Sequence, residues 1–294
     1  MTTLDRRADS SIAVLDVGGT SIKSGLVDLG GEIVDARPGL HFDAEADAES
    51  VLGDLGHAAR AVLDDPRARS DVLAVAFPGP FDYRAGRPLI RGQRKFDAIW
   101  GVDLSDQLRR TTARPALVVR YANDADAAAW GEAVAGAGRG HDRFLMVTLG
   151  TGFGASTVDR TVASAPGPDE NEVARLYEHP VGNLGRADDV LSAHGLSRLL
   201  GVDASDVPAM AEAARSGEPD SGASFAEFGA RLGGFLAPVM AEVGARALVV
   251  GGGAAGAFDL FGPSLESRLP VPVMPAALGS GAALVGASLL FATA

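Results

Sequence analysis

A pattern of strand, glycine turn and returning strand occurs twice in the chain and constrains its fold more than any other feature. The first copy is SIAVLDVGGTSIKSGLV at 11–27, and the second is RFLMVTLGTGFGASTVD at 143–159. Helical patterns and further apolar strands follow each copy, which predicts two α/β halves. We place the boundary near residue 122, giving an N-terminal lobe of 1–122 and a C-terminal lobe of 123–294. The sequence leaves open whether the terminal helix, at about 281–294, packs back on the first lobe.

The other elements follow from periodicity and from turn residues. Apolar positions at helical spacing predict a helix over 44–65. The run DVLAVAFPGP predicts a buried strand that breaks at Pro78, and residues 80–100 are expected to be irregular. A strand ending in NDA leads into an alanine-rich helix, and residues 188–246 are predicted to be mostly helical.

Composition argues against several classes of protein. The net charge of −12 argues against nucleic acid or an anionic membrane as the main partner. No apolar run reaches the roughly 18 residues that a membrane span requires. The first ten residues lack the apolar segment of a signal peptide, so we expect a cytoplasmic protein. The absence of cysteine excludes disulfides and thiolate metal sites.

Three glycine turns are candidate sites for an anion. Such turns can direct successive backbone N–H groups at a phosphate, and glycine allows the phosphate to come close to the main chain. A plain hairpin turn would give a similar pattern, and neither a GxGxxG fingerprint nor a P-loop is present. The residues concerned are Gly18, Gly19 and Thr20 in the first turn, Thr151 and Gly152 in the second, and Gly252 and Gly253 in the third.

An amide and a carboxylate, Asn123 and Asp124, stand directly before the alanine-rich helix. Asn or Asp in that place is first of all a helix cap. A carboxylate at a helix N-terminus is also favoured in its ionised form, so Asp124 could act as a base at pH 7. Asp126 is the rival carboxylate, but its place in the first turn suits the helix dipole better.

The motifs DVGGTSIK, FPGP, NDADAAAWGE, TLGTGFG, VVGGGAAG and ALGSGAALVGA, in this order and spacing, resemble those of the ROK sugar kinases. The resemblance covers about residues 12–291 and is glucokinase-like. It implies the α/β, two-lobed, actin-like ATPase (ribonuclease H-like) fold with a cleft between the lobes. It further implies a homodimer and ATP-dependent phosphorylation of a hydroxyl group of a hexose or N-acetylhexosamine.

The resemblance also implies roles for individual residues. Asp124 would be the general base that takes the proton of the sugar hydroxyl, and Asp16 would orient Mg²⁺, usually through water. The first two glycine turns would hold the ATP phosphates and the third would lie by the adenosine. The implied ATP-binding residues are Gly18, Gly19, Thr20, Lys23, Thr151, Gly152, Gly252 and Gly253. The implied sugar contacts are Gly79, Lys95, Asn123, Glu178, His179 and Asp188, with Asn123 both donating and accepting.

The chain departs from the family pattern at two places. The family's cysteine-rich zinc motif is missing from the corresponding stretch, 169–196, so no zinc is expected. Within it, Asp188 takes the place of a sugar-contacting Glu, while Glu178 and His179 are either sugar contacts or surface residues. At the second place Lys95, one of only two lysines, stands where the family commonly has Asn. Lys95 is either solvated or a substrate contact.

Three alternatives to an ATP-dependent kinase follow from the same resemblance. A sugar-responsive ROK regulator would carry a DNA-binding segment before the first glycine turn, whereas here the motif begins at Asp16. A polyphosphate-dependent glucokinase would need a long basic track, which the sequence does not display. A catalytically silent sugar-binding member is disfavoured by the presence of Asp124 and both phosphate turns.

Overall fold

The computed structural model describes residues 11–92, 95–161 and 173–291, which fall into two compact units. The first unit comprises 11–135 together with 281–291, and the second comprises the described residues of 136–280. The division therefore lies after residue 135 and not after residue 122. The leading ten residues, the first part of 169–196 and the last three residues of the predicted terminal helix, 292–294, lie outside the described ranges.

The first unit is built around a mixed sheet. Its strands are β1 (Ser11–Val17), β2 (Ser21–Val27), β3 (Ile33–Ala36), β4 (Leu40–His41), β5 (Ala68–Phe77) and β8 (Val118–Asn123), with β6 (Phe81–Asp82) and β7 (Arg87–Pro88) forming a separate small hairpin. The order is β3-β2-β1-β5-β8, with β4 on β2. Strands β1, β5 and β8 run parallel, and β1 is buried along its whole length, which explains its uninterrupted apolar run.

Strand register brings the carboxyl ends of the parallel strands to one edge of this sheet. Asp16 near the end of β1 is opposite Ala76 of β5, and Phe77 at the end of β5 is opposite Asn123 of β8. Across the antiparallel β1–β2 pair, Asp16 is opposite Lys23. Side chains from the ends of three strands thus lie at the same edge.

The helices of the first unit begin where side chains cap them. Helix α1 (Ala48–Leu63) starts four residues later than the sequence predicted, because the Asp47 carboxylate accepts the Ser50 N–H and fixes the first turn there. Asp103 caps α2 (Leu104–Thr112) in the same way. Helix α3 (Asp124–Ala135) follows β8 directly. Within the segment expected to be irregular lie the β6–β7 hairpin and a 3-10 helix at Asp97–Ile99.

The second unit repeats the pairing pattern of the first. Its strands are β9 (Arg143–Leu149), β10 (Phe153–Asp159), β11 (Leu248–Gly251) and β12 (Val273–Pro275), and its helices are α4 (Ala187–Val190), α5 (Ala193–Leu200), α6 (Val207–Arg215), α7 (Pro219–Val243) and α8 (Phe258–Glu266). The order β10-β9-β11-β12 places one antiparallel strand beside three parallel ones, like β2-β1-β5-β8. Apolar residues of α7 at helical spacing, including Phe225, Phe228 and Leu232, are buried in its core. None of the helices in the described part of the chain combines the length and apolar character of a membrane span.

Helix α9 (Ala282–Ser288) belongs to the first unit because it packs closely on α3. A Cβ atom added to Gly286 would overlap the carbonyl oxygen of Ala127, and one added to Gly131 would overlap that of Ala282. The two helices therefore touch backbone to backbone, and only glycine fits at these two positions. This contact explains why the division of the chain follows α3 and does not precede it.

We predict that Gly286→Ala destabilises the first unit by more than about 3 kcal/mol, because neither backbone can give way to the methyl group. Urea unfolding, followed by circular dichroism, measures the change. Gly53→Ala is the matched control: Gly53 lies inside α1, and an added Cβ would have no atom within 4 Å. That variant should gain roughly 0.4–1 kcal/mol. Equal stabilities for the two variants would contradict the packing described for α3 and α9.

Candidate active site

Asn123 is the residue that caps helix α3. Its Oδ1 accepts hydrogen bonds from the backbone N–H groups of Ala125, at 2.9 Å, and Asp126, at 3.2 Å. Its Nδ2 donates to the hydroxyl of Tyr83 at 3.0 Å. Both lone pairs of the amide oxygen are thus engaged in the cap. The expectation that Asn123 both donates to and accepts from a sugar is corrected on this point, since only a donor remains.

Asp124 lies in the first turn of α3, and the same strand–helix junction orients its carboxylate. Its Oδ1 accepts the Ala125 N–H at 2.9 Å. Burial raises the pKa of the Asp124 carboxyl to about 6, and the negative charge of Asp16 adds to the rise, whereas the Ala125 N–H and the Lys95 ammonium oppose it. Burial therefore outweighs the helix terminus that was expected to keep this group ionised. At pH 7 the carboxylate form still predominates, by about tenfold.

Asp16 and Lys23 form an ion pair at the end of the β1–β2 hairpin. Lys23 Nζ lies 3.1 Å from Asp16 Oδ2, as expected for residues directly opposite each other on adjacent strands. The Asp16 side chain is only 12% exposed, so most of its surroundings are protein. Its charge acts on Asp124. The two carboxylates predicted to do chemistry therefore lie close enough to interact.

Lys95 lies with these groups. It is half-buried, directly before Phe96, which is fully buried in the core of the first unit. Its positive charge lowers the pKa of Asp124, which requires the ammonium group to be near that carboxylate. The two lysines of the chain thus accompany the two carboxylates, Lys23 beside Asp16 and Lys95 near Asp124.

The first glycine turn leaves open space where a ligand could approach. The Gly18 N–H donates to the Ser21 carbonyl at 2.9 Å and is used within the turn. A Cβ atom added to Gly19 would meet no atom of the described residues within 4 Å, and Gly19 has no positive φ. Within the part of the chain that the structure describes, nothing requires glycine there. Close approach of a bound group is a physical reason for it. Gly79, at the end of β5, belongs to the same sheet edge by its position after Phe77.

The second and third glycine turns lie side by side in the second unit. Strands β9 and β11 are parallel neighbours, and Thr148 is opposite Gly251. Gly252 has a φ of 85°, and a Cβ atom there would meet the backbone of Leu149. The fold itself therefore requires glycine at 252. Thr151, Gly152, Gly252 and Gly253 thus lie at or beside the carboxyl ends of adjacent strands.

Asp188 lies against the second glycine turn. Its Oδ1 accepts the Phe153 N–H at 2.8 Å, and a Cβ atom at Gly152 would come within 2.7 Å of that oxygen. One of the two Asp188 carboxylate oxygens therefore serves to hold the turn.

The surroundings of Glu178 and His179 differ from those of Asp188. The Glu178 carboxylate pairs with Arg175, whose Nη2 lies 2.6 Å from it, and this pairing lowers the pKa of Glu178. His179 is exposed. These two residues have the surroundings of surface side chains.

Tyr83 is the residue of this site that the sequence did not indicate. It lies beside the β6–β7 hairpin, it is only 5% exposed, and its hydroxyl accepts a hydrogen bond from Asn123, forty positions later in the chain. No motif marks such a long-range contact. The one local indication of Tyr83 is the PGPFDY run, which places a polar aromatic residue shortly after the end of a predicted strand.

We predict that Asp124→Asn raises the free energy of unfolding at pH 7, by up to about 3 kcal/mol. Because the pKa of Asp124 is higher in the folded than in the unfolded chain, its ionised form costs stability above pH 6. That cost declines as the pH falls through 6 and is absent below about 4, where the two proteins should be equally stable. Urea unfolding from pH 4 to 8 measures this difference.

Asp65→Asn provides a control of opposite sign. Two hydrogen bonds from Arg67, at 2.9 and 2.8 Å, hold the pKa of Asp65 well below its usual range. This variant should therefore be less stable than the parent at pH 7. If Asp124→Asn also lost stability at pH 7, the surroundings described for Asp124 would be wrong.

Comparison with known proteins identifies the family of this chain. A family model described as the ROK family matches residues 12–167, more than half of the chain. The bifunctional enzyme NanE/NanK of Brucella melitensis is 28% identical over 296 residues, which cover 98% of this chain and 55% of the relative. This chain thus spans about half the length of that relative. A glucokinase of Streptomyces coelicolor is 26% identical, covering 93% of this chain and 95% of its own.

Solved structures of similar fold include two sugar kinases. A ROK family glucokinase from Streptomyces griseus, in complex with glucose and AMPPNP, has a TM-score of 0.78 at 25% identity and covers 96% of this chain and 99% of its own. An inorganic polyphosphate/ATP-glucomannokinase from Arthrobacter sp. strain KM has a TM-score of 0.73 at 26% identity, with coverage of 96% and 98%. The predicted α/β class is confirmed. The chain belongs to the ROK family and has its actin-like ATPase fold.

Proposed function

We propose that this protein is an ATP-dependent carbohydrate kinase that phosphorylates a hydroxyl group of a hexose or an N-acetylhexosamine. The observation that carries the proposal is Asp124, a carboxylate with a pKa of about 6 at a strand–helix junction, on which the charges of Asp16 and Lys95 act, while Lys23 pairs with Asp16. The similarity to glucokinases and to NanE/NanK supports the substrate class.

Asp124 acts as general base in this proposal. A sugar hydroxyl is a weak nucleophile, and a carboxylate that accepts its proton helps it attack the γ-phosphorus of ATP. The proton passes from the hydroxyl to Asp124, the new O–P bond forms, and the bond to the ADP oxygen breaks. A pKa near 6 leaves the base ionised at pH 7 while keeping it a better proton acceptor than a surface carboxylate.

The first glycine turn and Asp16 take the phosphate end of the donor. Gly19 offers close approach, and Lys23 supplies a positive charge beside Asp16. An Asp16 carboxylate with phosphate oxygens is the oxygen donor set that suits Mg²⁺, which commonly uses one or two carboxylates in kinase sites. When bound, Mg²⁺ would neutralise part of the triphosphate charge. In the second unit, Thr151, Gly152, Gly252 and Gly253 are proposed for the nucleotide.

Sugar binding is assigned to groups near Asp124. The free N–H of the Asn123 amide and the Lys95 ammonium are donors, and Gly79 would let the sugar approach the end of β5. The contacts proposed for Glu178, His179 and Asp188 stay predictions.

The experiment that tests the proposed function is ATP consumption in Mg²⁺ buffer against a panel of hexoses, N-acetylhexosamines and sugar acids. Polyphosphate replaces ATP in a parallel series, since one solved neighbour is named for both donors. We expect ATP-dependent turnover of at least one neutral hexose or N-acetylhexosamine. A protein that binds a sugar of the panel but consumes neither donor would be a binding or regulatory member and would contradict the proposal.

We predict that Asp124→Asn lowers kcat by about 10²–10⁴-fold while the fold is retained, because it removes the proton acceptor. Asp106→Asn is the matched control, since Asp106 also lies in the first turn of a helix, but its side chain is about half exposed and is paired with Arg110. The control should keep its full kcat. Near-normal turnover by Asp124→Asn would exclude it as the base.

We predict that Lys95→Ala raises the KM for the sugar by roughly tenfold or more, because a hydrogen bond to a charged donor contributes about 1.5–3 kcal/mol. The KM for ATP should barely change. Lys23→Ala is the counterpart and should raise the KM for ATP, because Lys23 lies beside the first glycine turn. Unaltered constants in Lys95→Ala would mean that its ammonium group does not contact the sugar.

A further inference from the structure

A chain of hydrogen bonds joins the ends of β5 and β8 through Tyr83. The Asn123 amide donates to the Tyr83 hydroxyl at 3.0 Å, and that hydroxyl donates to the Phe77 carbonyl at 3.2 Å. Phe77 and Asn123 are opposite each other at the last pair of the β5–β8 ladder. Tyr83 therefore bridges two strand ends, and one of its two partners, Asn123, directly precedes Asp124 in the chain.

The chemistry of these groups allows one direction for each bond. A carbonyl oxygen has no proton to give, so the phenol must donate its single proton to Phe77. Its oxygen can then only accept from Asn123, and the amide must turn its nitrogen towards Tyr83 and its oxygen towards the helix. The amide orientation that caps α3 is thus the one that Tyr83 selects.

Packing holds the tyrosine in place. Its side chain is buried, and its ring lies 5.0 Å from that of Phe81, which in turn lies 4.8 Å from Phe77 and 5.2 Å from Tyr121. Aromatic contacts of this kind leave a ring little freedom. The hydroxyl is therefore a fixed point for the Asn123 amide.

The Asn123 amide and the Asp124 carboxylate share one donor. Asn123 Oδ1 and Asp124 Oδ1 each lie 2.9 Å from the Ala125 nitrogen. If the amide rotates, the Ala125 N–H is left to Asp124 alone, and the carboxylate turns towards that N–H and away from the orientation it has while the donor is shared. A change at Tyr83 would therefore alter the orientation of the Asp124 carboxylate through the Asn123 amide and the shared Ala125 N–H.

We infer that Tyr83 is a positioning residue of the site: its hydroxyl fixes the Asn123 amide and, through the cap of α3, the Asp124 carboxylate. The kinetic part of this inference rests on the proposed function. The structural part does not, because the orientation of Asp124 can be followed without turnover.

The test compares Tyr83→Phe with Tyr121→Phe. Tyr121 is also buried in this aromatic cluster, but its hydroxyl bonds to Ser105 at 3.1 Å and not to Asn123. Both substitutions remove one buried hydroxyl and keep the ring. We expect Tyr83→Phe to lower kcat about tenfold, a fraction of the loss that a 1 Å misplacement causes, with the KM for ATP unchanged. Tyr121→Phe should leave kcat unchanged, and a similar kcat in both variants would overturn the inference.

Titration of the Asp124 carboxyl carbon by NMR, in the ligand-free protein, gives the readout that does not need activity. Asp16 and Lys95 act on this group alongside the Ala125 N–H. Since that N–H lowers the pKa, its release from Asn123 to Asp124 in Tyr83→Phe should lower the pKa by about half a unit, with no change in Tyr121→Phe. A wild-type protein inactive towards every sugar would contradict the proposed function alone, and this titration would still decide the role of Tyr83.

An Asn123→Ser background tests the route. Serine is a good N-cap but has no amide to donate to Tyr83. Tyr83→Phe should then cause no further change in kcat or in the pKa of Asp124. A full effect of Tyr83→Phe in this background would show that Tyr83 does not act through Asn123.

Discussion

Strand β8 passes into helix α3 with no connecting residue, and the cap formed by Asn123 is the interaction on which the site depends. A helix that starts directly at a sheet edge has backbone N–H groups without helical partners, and these must be satisfied locally. The Asn123 oxygen takes two of them. The next residue is thereby free to present a carboxylate at the same edge. An Asp at position 124 therefore need not serve as the cap.

Placing that carboxylate there has a cost, which the rest of the first unit must offset. Burial and the neighbouring Asp16 both disfavour the ionised form of Asp124. Helix α3 carries this unfavourable charge at its first turn, and the backbone contact with α9 at Gly131 and Gly286 fixes the position of the helix. Functional sites commonly reduce stability in this way, and the surrounding packing makes it tolerable.

The sequence was sufficient to predict what depends on local patterns. The strand–turn–strand repeats, the helix after Asn123 and the glycine turns all follow from residues close together in the chain. The start of α1 was four residues off because a single Asp47 side chain sets it. The boundary at 122 differs from the division in the structure because it depends on α3 meeting a helix about 150 residues further along.

The parts of the site that could not be predicted depend on long-range contacts. Tyr83 reaches Asn123 across forty residues, and Asp188 reaches the second glycine turn across thirty-five. The amide of Asn123 was expected to bind sugar with both its ends, although a residue in that place is first of all a helix cap. The structure shows that the cap takes both lone pairs of its oxygen. Similarly, the raised pKa of Asp124 follows from burial, which a helix-terminus argument does not include.

The choice of lysine at this edge follows from the same electrostatics. The chain has 26 basic residues, only two of them lysines, and both accompany the site carboxylates. An arginine paired with a carboxylate elsewhere in the first unit shows the contrast. Arg67 donates two side-chain hydrogen bonds to Asp65, and these hold the pKa of the Asp65 carboxyl well below its usual range. A carboxylate that accepts two hydrogen bonds from one guanidinium group has little tendency to accept a proton and few free lone pairs. A lysine ammonium is a point charge on a flexible stem, so it offsets negative charge without covering the carboxylate. Asp124 can therefore keep a pKa near 6 beside a positive charge, which an arginine fork in place of Lys95 would not allow.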